Sequence, residues 1–262
     1  MTFFDSHNHL QRFGDPARII AEMREVGIGG CVVNGTSQDD WGAVAKLAEE
    51  FPDFVSPAFG LHPWHAHRRT DGWLKSLESY LDRFPDASIG ECGLDGWVTE
   101  PAIEIQREVF LPQLAVARER KLPVTIHALK AWEPLFEAFE AEAPPDRFLM
   151  HSFGGSPELV KRLVPMGAWF SFSGHFLQPR KAKALESFMA VPMDRLLIET
   201  DAPDMMPPVE FVEREMEGTN HPANLKRIVK GLAERLGVDV EQLAKETAEN
   251  HARFFRTWHH LT

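Results

Sequence analysis

The sequence predicts the α/β class, as a single-domain (β/α)8 barrel of the TIM type with room for distortion, and three observations lead there. Eight short apolar runs alternate with longer stretches of helical period. The length, 262 residues, fits an undivided barrel, which commonly reaches about 250. No Gly/Ser-rich linker, charge block or low-complexity tract interrupts the chain, so residues 1–262 read as one domain. A doubly wound open sheet has the same alternation of elements. A barrel differs in placing reactive residues at the C-terminal ends of several different strands.

The elements follow in order. The first strand, over 2–7, runs into Asn8-His9. Asp15-Pro16 then sets a capping oxygen before a proline whose fixed φ suits the first helical position, which opens a helix over 16–26. Gly27 can close that helix in the left-handed conformation. Strands over 30–35, 55–61 and 88–93 are followed by helices over 41–51, 73–84 and 103–120. Pro101 is read as opening the third of these as Pro16 opens the first. Val109, Leu111, Leu114, Ala115 and Ala117 give that helix an apolar stripe. Strands over 123–127, 147–151, 168–172 and 195–199 complete the eight, and Ser156-Pro157 repeats the cap-and-proline arrangement.

Composition narrows the class of function. A hydrophobic fraction of 44% and a charged fraction of 26% describe a globular chain with ample core material. The 28 Lys+Arg against 39 Asp+Glu give a net charge of −11, which argues against a broad nucleic-acid-binding surface though not against a local basic groove. Cys31 and Cys92 are too few for a disulfide scaffold and point to a reducing compartment. The longest uncharged run, residues 163–179, is broken by Pro165, Gly167, Gly174 and His175 and falls short of the ~20 apolar residues of a spanning helix. The N-terminus has no cationic-then-apolar leader, so a cytoplasmic protein is expected.

Polar residues recur where the barrel predicts them. His7 and His9 form a His-x-His pair, and strand alternation points both imidazoles to one side. Glu91 sits in the apolar run Ile89-Gly90-Glu91-Cys92-Gly93-Leu94, where a carboxylate is costly unless paired or bound to a cation. His127 and His151 end the fifth and sixth strands, and Asp201 follows the eighth. Singly, each has a structural explanation: a hydrogen-bonded core histidine, or a capping aspartate. Together, four imidazoles and two carboxylates at one barrel mouth suit Zn²⁺, Mn²⁺, Mg²⁺ or Fe²⁺, and can hold two divalent metal ions bridged by one carboxylate. No lysine-bearing strand end competes with Glu91 as the bridge.

Phe4-Asp5-Ser6-His7-Asn8-His9-Leu10 resembles the opening motif of the TatD family of metal-dependent hydrolases, within the amidohydrolase-like barrels. Gly60-Leu61-His62-Pro63, Gly90-Glu91-Cys92-Gly93-Leu94-Asp95 and His151-Ser152-Phe153-Gly154-Gly155-Ser156 resemble later motifs in the expected order. So do Glu199-Thr200-Asp201-Ala202-Pro203, Asn220-His221-Pro222-Ala223-Asn224-Leu225 and Asn250-His251-Ala252-Arg253-Phe254-Phe255. The resemblance spans nearly the whole chain. It implies a two-metal centre and phosphodiester hydrolysis, usually described as deoxyribonuclease activity. His7, His9 and Asp201 would then hold one metal and His127 and His151 the other, with Glu91 bridging. Asp201 would accept a proton from the attacking water, and His62 would lie near the substrate phosphate. Two departures bear on substrate. The family usually shows His-x-Arg at the fifth strand, where this chain has His127-Ala128-Leu129 with Lys130 next door as a partial stand-in. The family's Arg-Asn-Glu-Pro stretch is Thr219-Asn220-His221-Pro222 here. Losing forked guanidinium donors weakens phosphate recognition.

The expected enzyme is thus a divalent-metal-dependent phosphodiesterase or deoxyribonuclease, in which a metal-bridging hydroxide attacks and Asp201 takes the proton. Its partner would be a DNA end or a smaller phosphodiester. A two-metal hydrolase of a small ester, lactone or amide is the alternative, favoured by the missing arginine and the acidic charge. A metal-holding protein without turnover fits less well with a complete ligand set. His62 and His65, with Lys130, are candidate substrate contacts; His65, His67, Arg68 and Arg69 form the most cationic local segment, which also reads as a solvated loop. Trp64, Trp97 and Phe153 are candidates for stacking on a base or lining a pocket. Gly154-Gly155-Ser156 is a candidate anion nest, although helix capping by Ser156 is sufficient cause. Asp5, Asn8 and Asp95 are neighbours suited to orienting the imidazoles. His259 and His260 read as a surface tail.

Overall fold

In the computed structural model, which describes residues 1–256, eight parallel strands follow one another around a single sheet in sequence order. They are β1 Phe3–Asn8, β2 Ile28–Asn34, β3 Val55–Phe59, β4 Ser88–Asp95, β5 Val124–Leu129, β6 Phe148–Met150, β7 Ala168–Ser173 and β8 Leu196–Glu199. The intervening helices are α1 Pro16–Glu25, α2 Trp41–Glu50, α3 Trp73–Arg83, α4 Ile103–Arg120, α5 Trp132–Ala141, α6 Pro157–Leu163 and α7 Ala182–Met189. Helices α8 Leu225–Leu236 and α9 Val240–Phe255 follow β8. This is the (β/α)8 barrel, and the open sheet is excluded. His259 and His260 lie outside the described residues.

The helix starts have the local causes expected for two of the three prolines. The Asp15 carboxylate accepts from the Arg18 amide at 3.1 Å, and the Ser156 hydroxyl accepts from the Leu159 amide at 3.4 Å. Pro101 is different. Helix α4 begins at Ile103 with Ala102 as its cap, so Pro101 precedes the helix, and its carbonyl accepts from the Gln106 side chain at 2.8 Å.

Alternate strand positions separate into two sets, as period-two geometry requires. Val32, Ala58, Leu149, Trp169 and Leu197 pack with Phe254 and Phe255 of α9. Their sequence neighbours, such as Cys31, Val33, Phe59, Phe148, Phe170 and Ile198, belong to the larger cluster formed with the surrounding helices. The first set therefore lines the barrel interior, and α9 plugs its N-terminal end. Two residues further along the same strands, four of the five interior positions, Asn34, His151, Ser171 and Glu199, are buried and polar, and the fifth is Gly60.

The barrel seam between β8 and β1 is closed by the segment after β8. The Asp201 amide donates to the His7 carbonyl at 2.9 Å, and the His9 amide donates to the Ala202 carbonyl at 2.8 Å. The buried Asp5 carboxylate accepts from the Thr200 amide at 2.9 Å and the Thr200 hydroxyl at 2.6 Å. These bonds fix the first and last strand ends against each other. Among the described residues no helix is long and apolar enough to cross a membrane.

Candidate metal centre

The seam bonds bring the ends of the chain's first and last strands into one place. His7 and His9 face each other with their Nε2 atoms 3.3 Å apart. Asp201 adopts φ +55°, a left-handed conformation that aspartate tolerates better than most residues. Its Oδ1 lies 3.4 Å from His7 Nε2 and 3.5 Å from His9 Nε2. The Thr219–Pro222 segment secures this loop: the Asn220 side chain donates to the Thr200 carbonyl at 2.8 Å, and His221 Nε2 sits 2.8 Å from Glu22 of α1.

Glu91 enters from β4 and divides its two oxygens between two groups of imidazoles. Oε2 lies 3.3 Å from His7 Nε2 and 3.5 Å from His9 Nε2. Oε1 lies 2.9 Å from His151 Nε2, 3.1 Å from His127 Nδ1 and 3.1 Å from His62 Nε2. Three overlapping donor groups result: His7 with His9 and Asp201, His7 with Glu91 and His151, and His62 with Glu91 and His127. All the donor atoms are buried or nearly so. Among the described residues the ion pairs of Glu91 and Asp201 are all with histidines. Two buried carboxylates with only imidazoles for company are a donor set that suits divalent cations of borderline softness.

His9, His127 and His151 each have a partner behind the ring, whereas the buried Nδ1 of His7 has no hydrogen-bond partner among the described residues. The His9 Nδ1–H donates to the Asn34 carbonyl at 2.8 Å, leaving Nε2 to face the centre. His127 Nε2–H donates to Asp95 at 3.0 Å, leaving Nδ1 to face Glu91. His151 Nδ1 lies 3.5 Å from Glu199, which also accepts from the Ser152 amide at 2.6 Å and from the Ser171 hydroxyl. His62 is turned the other way. Its Nδ1 accepts from the Trp64 amide at 3.2 Å, so the neutral ring carries its proton on Nε2, toward Glu91.

Burial and charge compete throughout the cluster. Burial is the largest single influence on His9, but Asp201 and Glu91 together outweigh it and push this imidazole up to about 10. The same contest raises His127, through Asp95 and Glu91, and His151, through Glu91 and Glu199. Burial wins for His7, and for His62, which falls to about 4. Glu91 and Asp201 remain well on the ionised side, because the surrounding imidazoles overcome their desolvation. Asp95 is also buried, yet its donors His127, Trp64 and the Trp97 amide hold it down at about 2.

The structure thus gathers His7, His9, Glu91, His127, His151, Asp201 and His62. It leaves two of the expected substrate contacts outside the cluster. His65 is half-buried in the 3-10 turn Pro63–Arg68, its ring 6.3 Å from that of His62. Lys130 lies on the loop after β5, its ammonium 4.1 Å above the Trp97 ring. Phe153 is not available for stacking on a ligand: it is buried in the core against Phe170, Phe188 and Trp132. Glu199 was not singled out from the sequence. Its carboxylate closes the apolar run Leu196-Leu197-Ile198-Glu199, the same costly placement that marks Glu91.

The family described as TatD related DNase matches residues 4–256. The chain belongs to the TatD family. It is accordingly a metal-dependent hydrolase acting on ester bonds. A relative from Bacillus subtilis, the uncharacterized metal-dependent hydrolase YabD, is 33% identical over 97% of this chain and 98% of its own length. The 3'-5' ssDNA/RNA exonuclease TatD of Pantoea ananatis is 30% identical, covering 92% of this chain and 93% of its own. Among solved structures, the TatD homolog YjjV of Escherichia coli superposes with a TM-score of 0.87 at 27% identity, over 97% of this chain and 98% of that one.

Proposed function

We propose that this TatD-family hydrolase is a two-metal phosphodiesterase that cleaves single-stranded nucleic acid from an end. The observation that carries the reading is the division of the Glu91 oxygens, one toward His7 and His9, the other toward His127 and His151. A carboxylate so placed suits a bridge between two cations, with His7, His9 and Asp201 on one side and His127 and His151 on the other. The resemblance to proteins named as 3'-5' ssDNA/RNA exonucleases supports the substrate class. Divalent ions held there would lower the pKa of a water and polarise a phosphoryl oxygen.

The chain's own residues supply the rest. Asp201 accepts the proton of the attacking water as the O–P bond forms and the bond to the leaving oxygen breaks, then returns it to that oxygen. His62 donates from Nε2 to a phosphoryl oxygen; without substrate the same proton faces Glu91 Oε1 at 3.1 Å. Asp95 and the Asn34 carbonyl hold His127 and His9 in the tautomers that present a lone pair inward. The test offers the purified protein Mn²⁺, Mg²⁺ or Zn²⁺ with a chromogenic phosphodiester, single-stranded DNA and a lactone panel. Hydrolysis of the phosphodiesters, abolished in Asp201→Asn, is expected. Turnover of carbonyl substrates only, equally abolished in that variant, would overturn the reading.

A further inference from the structure

Among the described residues six large apolar side chains are exposed: Met1, Met189 and Val209 stand apart, while Trp64, Trp97 and Leu129 share one rim. Among the described residues the exposed aromatic side chains are Trp64, 49% exposed, and Trp97, 64% exposed. Leu129 is exposed as well. These three sit just beyond or at the ends of the neighbouring strands β3, β4 and β5, on the rim of the mouth that holds the donor cluster.

The rim is built, not incidental. One carboxylate joins it to the centre: Asp95 Oδ1 accepts from the Trp97 amide at 2.7 Å, while Oδ2 accepts from Trp64 Nε1 at 2.7 Å and from His127 Nε2 at 3.0 Å. Trp64 also meets the His62 ring edge-on at 5.0 Å. The loops after β4 and β5 are pressed together at Gly96, whose amide donates to the Leu129 carbonyl at 2.7 Å. A Cβ at Gly96 would fall 2.3 Å from the Lys130 carbonyl oxygen, so only glycine permits this approach. Lys130 itself has φ +51°, and its ammonium lies 4.1 Å over the exposed indole of Trp97.

We infer that Trp97 and Lys130, flanked by Trp64 and Leu129, form a clamp for one nucleotide of a single strand, the base stacking on indole while the ammonium meets a neighbouring phosphate. This rests on the phosphodiesterase reading and names how its substrate is held. It also joins two facts that otherwise stand apart. The chain carries leucine at 129, where the family usually has arginine, and its net charge is −11. With that charge and without the guanidinium the site has fewer cations to set against phosphate, whereas stacking is indifferent to charge. Holding a nucleotide by its base replaces what the guanidinium would have supplied.

The test compares two single-stranded oligonucleotides, identical except that one has an abasic 3'-terminal nucleotide. Binding to Asp201→Asn protein is measured by fluorescence anisotropy, with and without Trp97→Ala. The base-bearing strand is expected to bind about 10-fold more weakly after Trp97→Ala, and the abasic strand equally well with either. Trp97→Phe should restore most of the difference. Lys130→Gln should reduce the salt slope of binding by about one phosphate contact. Equal affinity for the two strands, or equal loss on both, would overturn the clamp. Hydrolysis by the otherwise unaltered protein is scored separately. A protein that cleaves neither strand would refute the phosphodiesterase reading, while the binding contrast still decides the clamp.

Discussion

The two ends of the barrel interior use the same strands for opposite purposes. At the N-terminal end Val32, Ala58, Leu149, Trp169 and Leu197 close on Phe254 and Phe255. One interior step further, four of the five positions are Asn34, His151, Ser171 and Glu199. Two residues advance a strand by about 7 Å. Over that distance the environment passes from dispersion contacts to paired charges and hydrogen bonds. The apolar end supplies rigidity without chemistry, and the polar end gives up packing energy to hold ionised groups that only a cation or a proton can balance.

This division is open to attack from either side, and the largest expected effect lies at the polar end. Asp201→Asn should lower kcat by about 10³-fold while leaving the thermal midpoint nearly unchanged. Leu197→Ala should do the reverse, costing ~2–5 kcal/mol in urea unfolding with the specific activity of the folded fraction retained. If Asp201→Asn unfolded the protein and Leu197→Ala silenced a stable one, the contrast between the two ends would be lost.

Orientation from behind should matter next. Asp95→Asn deprives His127 of its anionic partner and should weaken metal binding about 10- to 100-fold, measured by competition with a chromogenic chelator. A comparable pH effect has a definite sign. His9 is pushed up to about 10, so the ion-free protein holds its proton at neutral pH, and His127 and His151 are raised in the same direction. A cation must displace the protons these rings hold. Apparent metal affinity should therefore rise with pH between 6 and 9, by about tenfold per unit for each proton displaced, and titration calorimetry in buffers of different ionisation enthalpy should register the release. An affinity flat in pH would mean that the imidazoles enter the site already neutral. The smallest effect expected is local: Ser156→Ala removes the cap of α6 and should cost ~1 kcal/mol without altering kcat, read from urea unfolding beside steady-state kinetics.

What the sequence disclosed divides along similar lines. Alternation of apolar runs and helical periods was enough for the barrel, because each βα unit carries its own signal, and cap residues such as Asp15 and Ser156 act over three residues. The six metal-ligand candidates were legible because charged or titratable groups at strand ends have no cheap reason to be there. Residues that act through long-range contacts were hidden. Nothing in Gly-Leu-Asp shows that Asp95 receives Trp64 from one loop and His127 from another strand. Glu199 gave the same strand-end signal, but nothing in Ile-Glu-Thr shows that its carboxylate meets the Ser152 amide, the Ser171 hydroxyl and His151. Pro101 misled because proline before a helix has two roles, and here it precedes the cap instead of starting the helix. Phe153 is a candidate for stacking or lining a pocket by sequence because a loop aromatic and a core aromatic share one letter; its neighbours bury it in the core.

Metal content at saturation, determined by mass spectrometry of protein freed from excess ion, bears most directly on the shared carboxylate. Two divalent ions per chain are expected for the unaltered protein, falling to one or fewer in Glu91→Gln with the fold intact by circular dichroism. Retention of two ions by the folded Glu91→Gln variant would contradict the arrangement in which the two Glu91 oxygens serve separate cations.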